Sequence, residues 1–373
     1  MREIKLFDLD AELEFSSDKA FRKSLVRSTT LQSSLRHSDL YVAISLMDFD
    51  NPQQLESLLR RHSFEIQKRF GTVWLVQRST QDGALDSEDF EFYLGPNWET
   101  GVACFYTNYR KTEEIRRFLM PMLRSSRLDR FVLYPTLLQK LLDQIFQDYP
   151  LGRMTQFTAR TTPGSKTRFV KRPEEKRTVS YWGDDGRYTY PEMHELYGTA
   201  IVRAVVELPE SSTKFKLSQE GVVAFCNGEP TVFFDLLEKF LIPEAARQRK
   251  IVTSSTTRYV SLGAGKSKYQ APIVCPMKIR LQSSLEYTRV AETFVATLER
   301  LEFPVMSSFL REGSLYLDAV LVDSKWDSHF RVKANEDWLK LLPGKHTRLS
   351  TFLRFYQVVL NEIDPYATLE VVT

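Results

Sequence analysis

Two short apolar runs in the first hundred residues constrain the fold of this chain more than any other feature. Residues 39–47 read DLYVAISLM, and residues 71–77 read GTVWLVQ. Such runs are typical of strands in a sheet that is covered on both faces. Helix-like patterns alternate with them, including one that begins at Asn51-Pro52 and ends before Gly71. This alternation predicts a three-layer α/β domain with a mixed sheet over residues 1–150.

The length of the chain favours more than one domain, because 373 residues exceed what one hydrophobic core usually organises. Residues 151–198 are predicted to form a basic β-hairpin segment, in which residues 179–182 and 187–190 pair across a turn. Residues 199–373 are predicted to form an α+β domain. Within it, strands precede a helix at residues 231–241, and again at 335–342, which suggests two related units. The predicted fold class is therefore α/β plus α+β.

Several classes of protein are excluded by what the sequence lacks. No apolar run approaches the roughly 20 residues that a membrane span needs, and the first residues have no signal-peptide pattern. The three cysteines are odd in number and far apart, which argues against a disulfide framework and fits a reducing compartment. We therefore expect a cytoplasmic protein with no membrane partner.

Metal and cofactor motifs are also absent from the sequence. There is no CxxC pair and no GxGxxG loop. His194-Glu195 begins like an HExxH zinc motif, but Gly198 stands where the second histidine is required. The sequence therefore predicts no bound metal and no cofactor.

Positive charge is concentrated in the middle of the chain. The formal net charge is only +3, yet residues 101–190 carry 17 Lys and Arg against 9 Asp and Glu. Residues 151–180 alone carry eight basic residues against two acidic ones. A local basic surface of this kind suggests an anionic partner.

This basic segment also contains aromatic residues, and the combination predicts a nucleic-acid interface. Strand periodicity would place Lys166, Arg168 and Arg172 on one face, where they would match a track of phosphates. Aromatic side chains nearby would stack on bases or riboses. The same charges also suit a solvated loop or a protected sheet edge. The predicted binding residues are Arg153, Arg160, Lys166, Arg168, Lys171, Arg172, Lys176, Arg177, Trp182 and Arg187.

A Gly-rich loop at residues 263–267, GAGKS, invites comparison with a phosphate-binding loop. Val260 occupies the position of the first glycine of that motif, and Ala271-Pro272 follows where a helix is required. The pattern therefore favours a flexible loop, although its amides, Lys266 and Lys268 could still contact a phosphate.

A second candidate activity is Mg²⁺-dependent nuclease chemistry around Asp318, Asp323 and Lys325. Asp323 and Lys325 fall on one face of a predicted strand, as the chemistry requires. Asp318 and Asp323 are five residues apart, so a regular strand directs them to opposite faces. The alternative interpretation is a strand-end charge pair in solvent, whose loss would cost at most about 1 kcal/mol.

The function best supported by the sequence is nucleic-acid binding without catalytic activity, by one subunit of a larger assembly. A divergent nuclease is the first alternative. The second is a protein-interaction adaptor whose acidic N-terminal domain binds a basic partner. Sequence alone does not distinguish DNA from RNA.

Overall fold

The computed structural model of the protein describes residues 13–27, 39–49, 51–78, 90–108, 115–125, 127–161, 177–255, 257–262, 269–282, 284–285, 295–311, 315–344 and 346–370. Its α-helices of six or more residues are Asp18–Arg27 (α1), Pro52–Arg61 (α2), Pro135–Asp148 (α3), Gly186–Tyr197 (α4), Pro230–Leu236 (α5), Ile242–Ser254 (α6), Val295–Arg300 (α7) and Leu349–Val358 (α8). Wider π-helical turns occur at Ile115–Leu119, at Leu237–Leu241 between α5 and α6, and at Val359–Ile363 after α8.

Strands make up most of the remaining regular structure. Those of the first sheet are Leu40–Met47 (β1), Phe64–Phe70 (β2), Val73–Arg78 (β3), Glu91–Asn97 (β4), Val102–Thr107 (β5), Arg124–Ser125 (β6), Leu128–Arg130 (β7), Arg153–Thr161 (β8), Thr178–Trp182 (β9), Thr199–Leu208 (β10), Thr213–Ser218 (β11) and Val222–Asn227 (β12). A separate hairpin consists of Thr257–Leu262 (β13) and Tyr269–Val274 (β14). The last sheet consists of Met277–Arg280 (β15), Val305–Arg311 (β16), Tyr316–Asp323 (β17), Ser328–Ala334 (β18), Trp338–Pro343 (β19) and Thr368–Glu370 (β20).

The protein combines helices with antiparallel sheets. The twelve-stranded sheet has the order β2-β3-β4-β5-β1-β12-β11-β10-β8-β9, with β6 and β7 beside β1. Every pairing between these strands is antiparallel. The predicted mixed sheet is therefore corrected to an antiparallel one, because an apolar run shows that a strand is buried but not the direction of its neighbours. The sheet takes strands from both sides of residue 150, and the division into domains stays a prediction.

Two clusters of buried side chains lie on opposite faces of the twelve-stranded sheet. The first core covers one face and includes residues of α1, α3, α5, α6, α8 and the six-stranded sheet. The second core lies on the other face, where α2 and the turn at Ile115–Leu119 pack on β1, β4 and β5. Strand β12 contributes one fully buried residue, Ala224, to the second core. Among the described residues, the second core therefore covers only part of the width of the sheet.

The predicted strand at residues 187–190 is helical, which corrects the predicted hairpin partner of β9. Local β propensity of the Tyr and Thr residues led to the strand prediction. In the structure Tyr190 and His194 lie one helical turn apart on α4, with ring centres separated by 6.1 Å. Gly198, with φ of 60°, ends the helix in the left-handed conformation that glycine accepts readily.

Two other helix predictions fail for similar local reasons. The predicted helix at residues 335–342 is strand β19 in its second half, with alternating burial. Asn335 resembles a helix cap, but its side chain accepts bonds from the amides of Asp337 and Trp338 in a turn that precedes the strand. The helix predicted to reach Gly71 ends at Arg61, and Ser63, with φ of 61°, leads the chain into β2.

No helix among the described residues is long and apolar enough to cross a membrane.

Candidate nucleic-acid interface

One side of the twelve-stranded sheet carries no helix of the second core over strands β8 to β11, within the part of the chain that the structure describes. Phe157 and Ala159 of β8 belong to the first core, as do Ala204 and Val206 of β10. Because side chains alternate between the two faces of a strand, the residues between them point to the opposite side. The second core, which covers that side elsewhere, includes no described residue of these four strands. We call this side of β8–β11 the open face.

Strand register arranges the side chains of the open face in rows. Successive rows are two residues apart along a strand, or about 7 Å, except where a bulge adds a third residue, between Ala200 and Arg203 on β10 and between Arg153 and Gln156 on β8. Apart from Ala200 and Val205, which are buried, every member carries a polar or aromatic group. The rows are Thr178 with Arg160 and Ala200; Ser180 with Thr158, Arg203 and Ser218; Trp182 with Gln156, Val205 and Lys216; and Arg153 with Glu207 and Lys214.

Two arginines of the open face form no ion pair with a described carboxylate. Arg160 and Arg203 are exposed, and no ion pair joins either of them to another residue in the described part of the chain. The other described cations of the face are paired: Arg153 with Asp184 at 3.3 Å, Lys214 with Glu207 at 3.7 Å, and Lys216 with Asp39 at 2.5 Å. Burial alone would lower the pKa of Lys216, but the bond to Asp39 raises that pKa above the usual value.

Trp182 stands at the edge of the open face with 69% of its surface exposed. The preceding residue, Tyr181, points to the other side of the sheet, where its ring stacks on Phe157 with 5.1 Å between centres. The Tyr181 hydroxyl also bonds to Asp185 in the turn that follows. These contacts fix the half-buried Tyr181 at the end of β9, and the indole of Trp182 is therefore held at the surface.

The predicted interface residues are only partly brought together. Arg153, Arg160 and Trp182 lie on the open face. Arg177 lies beside it, immediately before β9 and opposite the end of β8, where its amide donates to Thr161 Oγ1 at 2.6 Å. Its guanidinium carbon is 5.9 Å from the ring centre of Tyr197. The rest of the basic segment lies outside the described residues: Lys166, Arg168, Lys171, Arg172 and Lys176.

Arg187 lies elsewhere, in the first turn of α4. Its guanidinium carbon is 4.8 Å from the ring centre of Phe146, a residue of the first core on α3. The same side chain donates to the carbonyl of Pro150 at 3.2 Å. Arg187 therefore belongs to the packing of the covered side rather than to the open face.

Sequence reasoning missed Arg203, Lys214 and Lys216, which share the open face with Arg160. Arg203 interrupts the apolar strand that runs from Thr199 to Leu208. Residues 214–218, KFKLS, alternate polar and apolar side chains with a period of two. Both patterns indicate a strand with one exposed face. They do not show which strands lie side by side, and the register was needed for that.

The residues of the alternative nuclease site are engaged with other groups. Asp318 and Asp323 lie on opposite faces of β17, as their spacing predicts. Asp318 forms an ion pair with Arg331 on the neighbouring strand, and this lowers its pKa. Lys325 donates to the main-chain oxygen of Arg124 at 3.0 Å, and burial together with Arg354 lowers the pKa of its ammonium group.

Asp323 is fully buried rather than solvated, which corrects the interpretation of a strand-end pair in solvent. One carboxylate oxygen contacts Arg354 and accepts the amide of Lys325 at 3.1 Å. The other oxygen has no hydrogen-bond partner among the described residues. Within the same part of the chain no three His, Cys, Asp or Glu side chains are grouped to hold a metal ion. Lys266 and Lys268 lie outside it.

Comparisons with known proteins add a family model and a distant relative. A family model described as "AF_0896_M: family middle domain" matches residues 136–220, the stretch that contains α3, the open-face strands β8 to β10, and β11. A protein of Archaeoglobus fulgidus, named "Uncharacterized protein", is 24% identical over 373 residues. That alignment covers 97% of this chain and 96% of the relative. The chain is thus similar to this archaeal protein over nearly its whole length.

Proposed function

We propose that the protein binds single-stranded nucleic acid on the open face and does no chemistry on it. The observation that carries the proposal is the position of three exposed side chains, Arg160, Arg203 and Trp182, on the open face. Cations that lack a protein partner neutralise phosphates. An exposed aromatic ring gives a base a surface on which to stack.

The shape of the surface favours a single strand over a duplex. Sheet faces that carry exposed aromatic side chains recognise unpaired bases, because those bases can lie flat against the rings. Thr158, Ser180 and Gln156 separate the arginines from the indole and offer neutral hydrogen-bonding groups. The three key side chains span about 15 Å, as strand spacing and rise dictate. This is room for two or three nucleotides.

The basic residues predicted from sequence extend this proposal. Lys166, Arg168, Lys171, Arg172 and Lys176 belong to the stretch that leaves β8 at Thr161 and returns at Arg177. The backbones of Thr161 and Arg177 are joined by a bond of 2.9 Å, so both ends of that stretch lie next to Arg160. We propose that its cations add phosphate contacts, and that the protein acts with partner subunits.

The salt dependence of binding tests the two arginines. Each phosphate contact on a single strand contributes about −0.7 to the log–log slope of affinity against salt. Substituting both Arg160 and Arg203 by Ala should therefore make the slope shallower by about 1.4. The measurement is fluorescence anisotropy with labelled DNA and RNA oligonucleotides between 50 and 300 mM salt. Arg60→Ala with Arg61→Ala is the matched control, since both are exposed arginines at the end of α2.

The aromatic contact is tested by a second matched pair. Trp182 and Tyr188 are 69% and 70% exposed, but Tyr188 lies on α4, away from the open face. Trp182→Ala should weaken binding by about 1–3 kcal/mol without altering the salt slope, because stacking releases no counterions. Tyr188→Ala should leave affinity as in the parent.

If the parent binds no oligonucleotide at low salt, the proposal is wrong and the adaptor hypothesis replaces it. Cleavage of the oligonucleotide in Mg²⁺ would favour the nuclease alternative.

A further inference from the structure

The six-stranded sheet also has a polar face, on the side away from the first core. The inward side chains of its central strands, such as Ala319, Val332 and Leu341, belong to that core. Because side chains alternate along a strand, the residues between them point to the opposite side. Every described residue of that opposite side is half-buried or exposed, and none is fully buried. We call this side the outer face.

Positive charge predominates on the outer face. Its described cations are Lys278, Arg280, Arg311, Arg331, Lys333 and Lys340. Its described carboxylates are Asp318 and Glu370, so six cations share the face with two anions. Each carboxylate forms ion pairs with two of the cations. The face therefore keeps an excess of positive charge after these pairs have formed.

Three lysines stand side by side in one row across the outer face. The strand register pairs Lys333 of β18 with Lys340 of β19, and Lys340 with Lys278 of β15. Neighbouring strands are about 4.8 Å apart, so the row spans about 10 Å. Asp318 and Glu370 continue the row at its two ends. Lys340, in the middle, forms no ion pair with a carboxylate in the described part of the chain.

Such a row is unfavourable unless an anion binds to it. Like charges that stand directly opposite each other on neighbouring strands destabilise a sheet. The carboxylates at the ends offset part of the repulsion, because they lie 3.9 Å from Lys333 and 2.7 Å from Lys278. Arrangements that oppose stability are expected at functional sites. An anion that contacts all three ammonium groups would remove the remaining repulsion, and the row is therefore a candidate site for a polyanion.

The aromatic residues near the row are poorly placed to stack on bases. Trp338 is half-buried, and the ammonium group of Lys340 lies 4.6 Å from the centre of its ring. Tyr316 is also half-buried, and its hydroxyl bonds to Asp318 at 3.4 Å. Phe309 is exposed but lies on the edge strand β16, two strands away from the nearest lysine of the row. The row therefore suits phosphates rather than bases.

The density of charge favours a nucleic-acid duplex over an acidic protein. A duplex carries one negative charge per about 1.7 Å of its axis. An extended acidic peptide presents side chains on one face only about every 7 Å. A duplex can therefore supply several phosphates to a row of lysines that is about 10 Å long, whereas an extended peptide supplies one or two carboxylates.

We propose that the outer face binds the phosphate backbone of a nucleic-acid duplex through Lys278, Lys333 and Lys340. Phosphate contacts position a duplex without reading its bases, so binding should not depend on sequence. This site lies on a different sheet from the open face. The inference goes beyond the proposed function and does not rest on it.

The salt dependence of duplex binding tests the row. Each phosphate contact on a duplex contributes about −0.9 to the log–log slope of affinity against salt. Substituting Lys278, Lys333 and Lys340 by Gln should therefore make the slope shallower by about 2.7. The measurement is fluorescence anisotropy with a labelled blunt-ended DNA duplex, over the range of salt used for single strands.

A matched control removes three lysines elsewhere in the chain. Lys23, Lys140 and Lys250 are exposed on α1, α3 and α6, and replacing them by Gln changes the net charge by the same amount. This control should keep the slope of the parent. If the triple variant of the row does not fold, Lys340→Gln alone, which breaks no described ion pair, should make the slope shallower by about 0.9.

The open-face variant distinguishes the two faces. Substituting Arg160 and Arg203 by Ala should leave the duplex slope unchanged, because both residues lie on the other sheet. A duplex slope that changes in that variant, or that does not change in the lysine variants, would overturn the inference. A parent that binds no duplex would also overturn it, while the proposed function is decided by single strands alone. Displacement of the duplex by polyglutamate at an equal concentration of charge would overturn it in favour of an acidic protein.

Discussion

Asp323 shows how burial changes the role of a charged residue. The sequence pattern predicts half of a solvated pair, whose loss would cost at most about 1 kcal/mol. The structure places it at 0% exposure against Arg354, which also contacts Glu302 at 2.9 Å. The aspartate therefore anchors α8 to the end of β17.

Asp323→Ala should lower the free energy of unfolding by about 2–3 kcal/mol, because a buried charge-assisted bond is lost. The cost should stay below the 3–5 kcal/mol typical of a fully buried pair, because Arg354 keeps Glu302 and some access to water. Urea denaturation at pH 7 measures the difference. Asp318→Ala is the control, since its partner Arg331 is half exposed, and it should cost less than about 1 kcal/mol. Equal costs for the two variants would contradict this account.

Helix α1 illustrates how one element is attached to the sheet through polar groups. Asp18 and Arg22 form a buried ion pair on α1, and both contact the hydroxyl group of Tyr106 on β5, at 2.8 and 3.0 Å. Phe21 packs on the same tyrosine ring with 5.2 Å between centres. Desolvation raises the pKa of Asp18 despite the nearby guanidinium. The helix therefore depends on a network in which each group needs its partners.

Tyr106→Phe removes one hydroxyl from this network and keeps the ring that packs on Phe21. The free energy of unfolding should fall by about 1–3 kcal/mol, because two buried charged groups each lose a hydrogen bond. Tyr316→Phe is the matched control, because its hydroxyl forms a long bond of 3.4 Å to the half-buried Asp318 and contacts no buried ion pair among the described residues. Denaturation curves of the two variants provide the comparison. A loss for Tyr106→Phe no larger than that of the control would show that the network contributes little.

The elements that sequence predicted correctly are those with a strong and uninterrupted pattern. The apolar runs that form β1 and β3, and the start of α2 at Asn51-Pro52, are confirmed. The failures occur where one residue suits two structures, as Asn335 suits both a helix cap and a turn.

For the interface, the local sequence pattern predicted Arg160 and Trp182. It could not find Arg203, because its place beside Thr158 depends on pairing between strands about 45 residues apart in the chain.

At the scale of the whole molecule, the two large sheets share one hydrophobic core. Phe157 of the first sheet and Phe330 of the second belong to the same buried cluster. Polar contacts also cross between them: Arg130 donates to Gln357 at 2.8 Å, and Tyr366 donates to the carbonyl of Thr199 at 3.1 Å. Such continuity is unusual between domains, whose interfaces are commonly smaller and more polar.

We therefore expect the described sheets to unfold in one cooperative transition. Far-UV circular dichroism and tryptophan fluorescence should give coincident urea curves, which is the standard test of two-state unfolding. The fluorescence reports on both regions, because Trp74 lies in the first sheet and Trp338 in the second. Hydrogen exchange should then show the same upper limit of protection in β10 and β17, because both open only when the shared core is lost. Two separated transitions, with β17 exchanging before β10, would instead favour the independent domains that the sequence predicts.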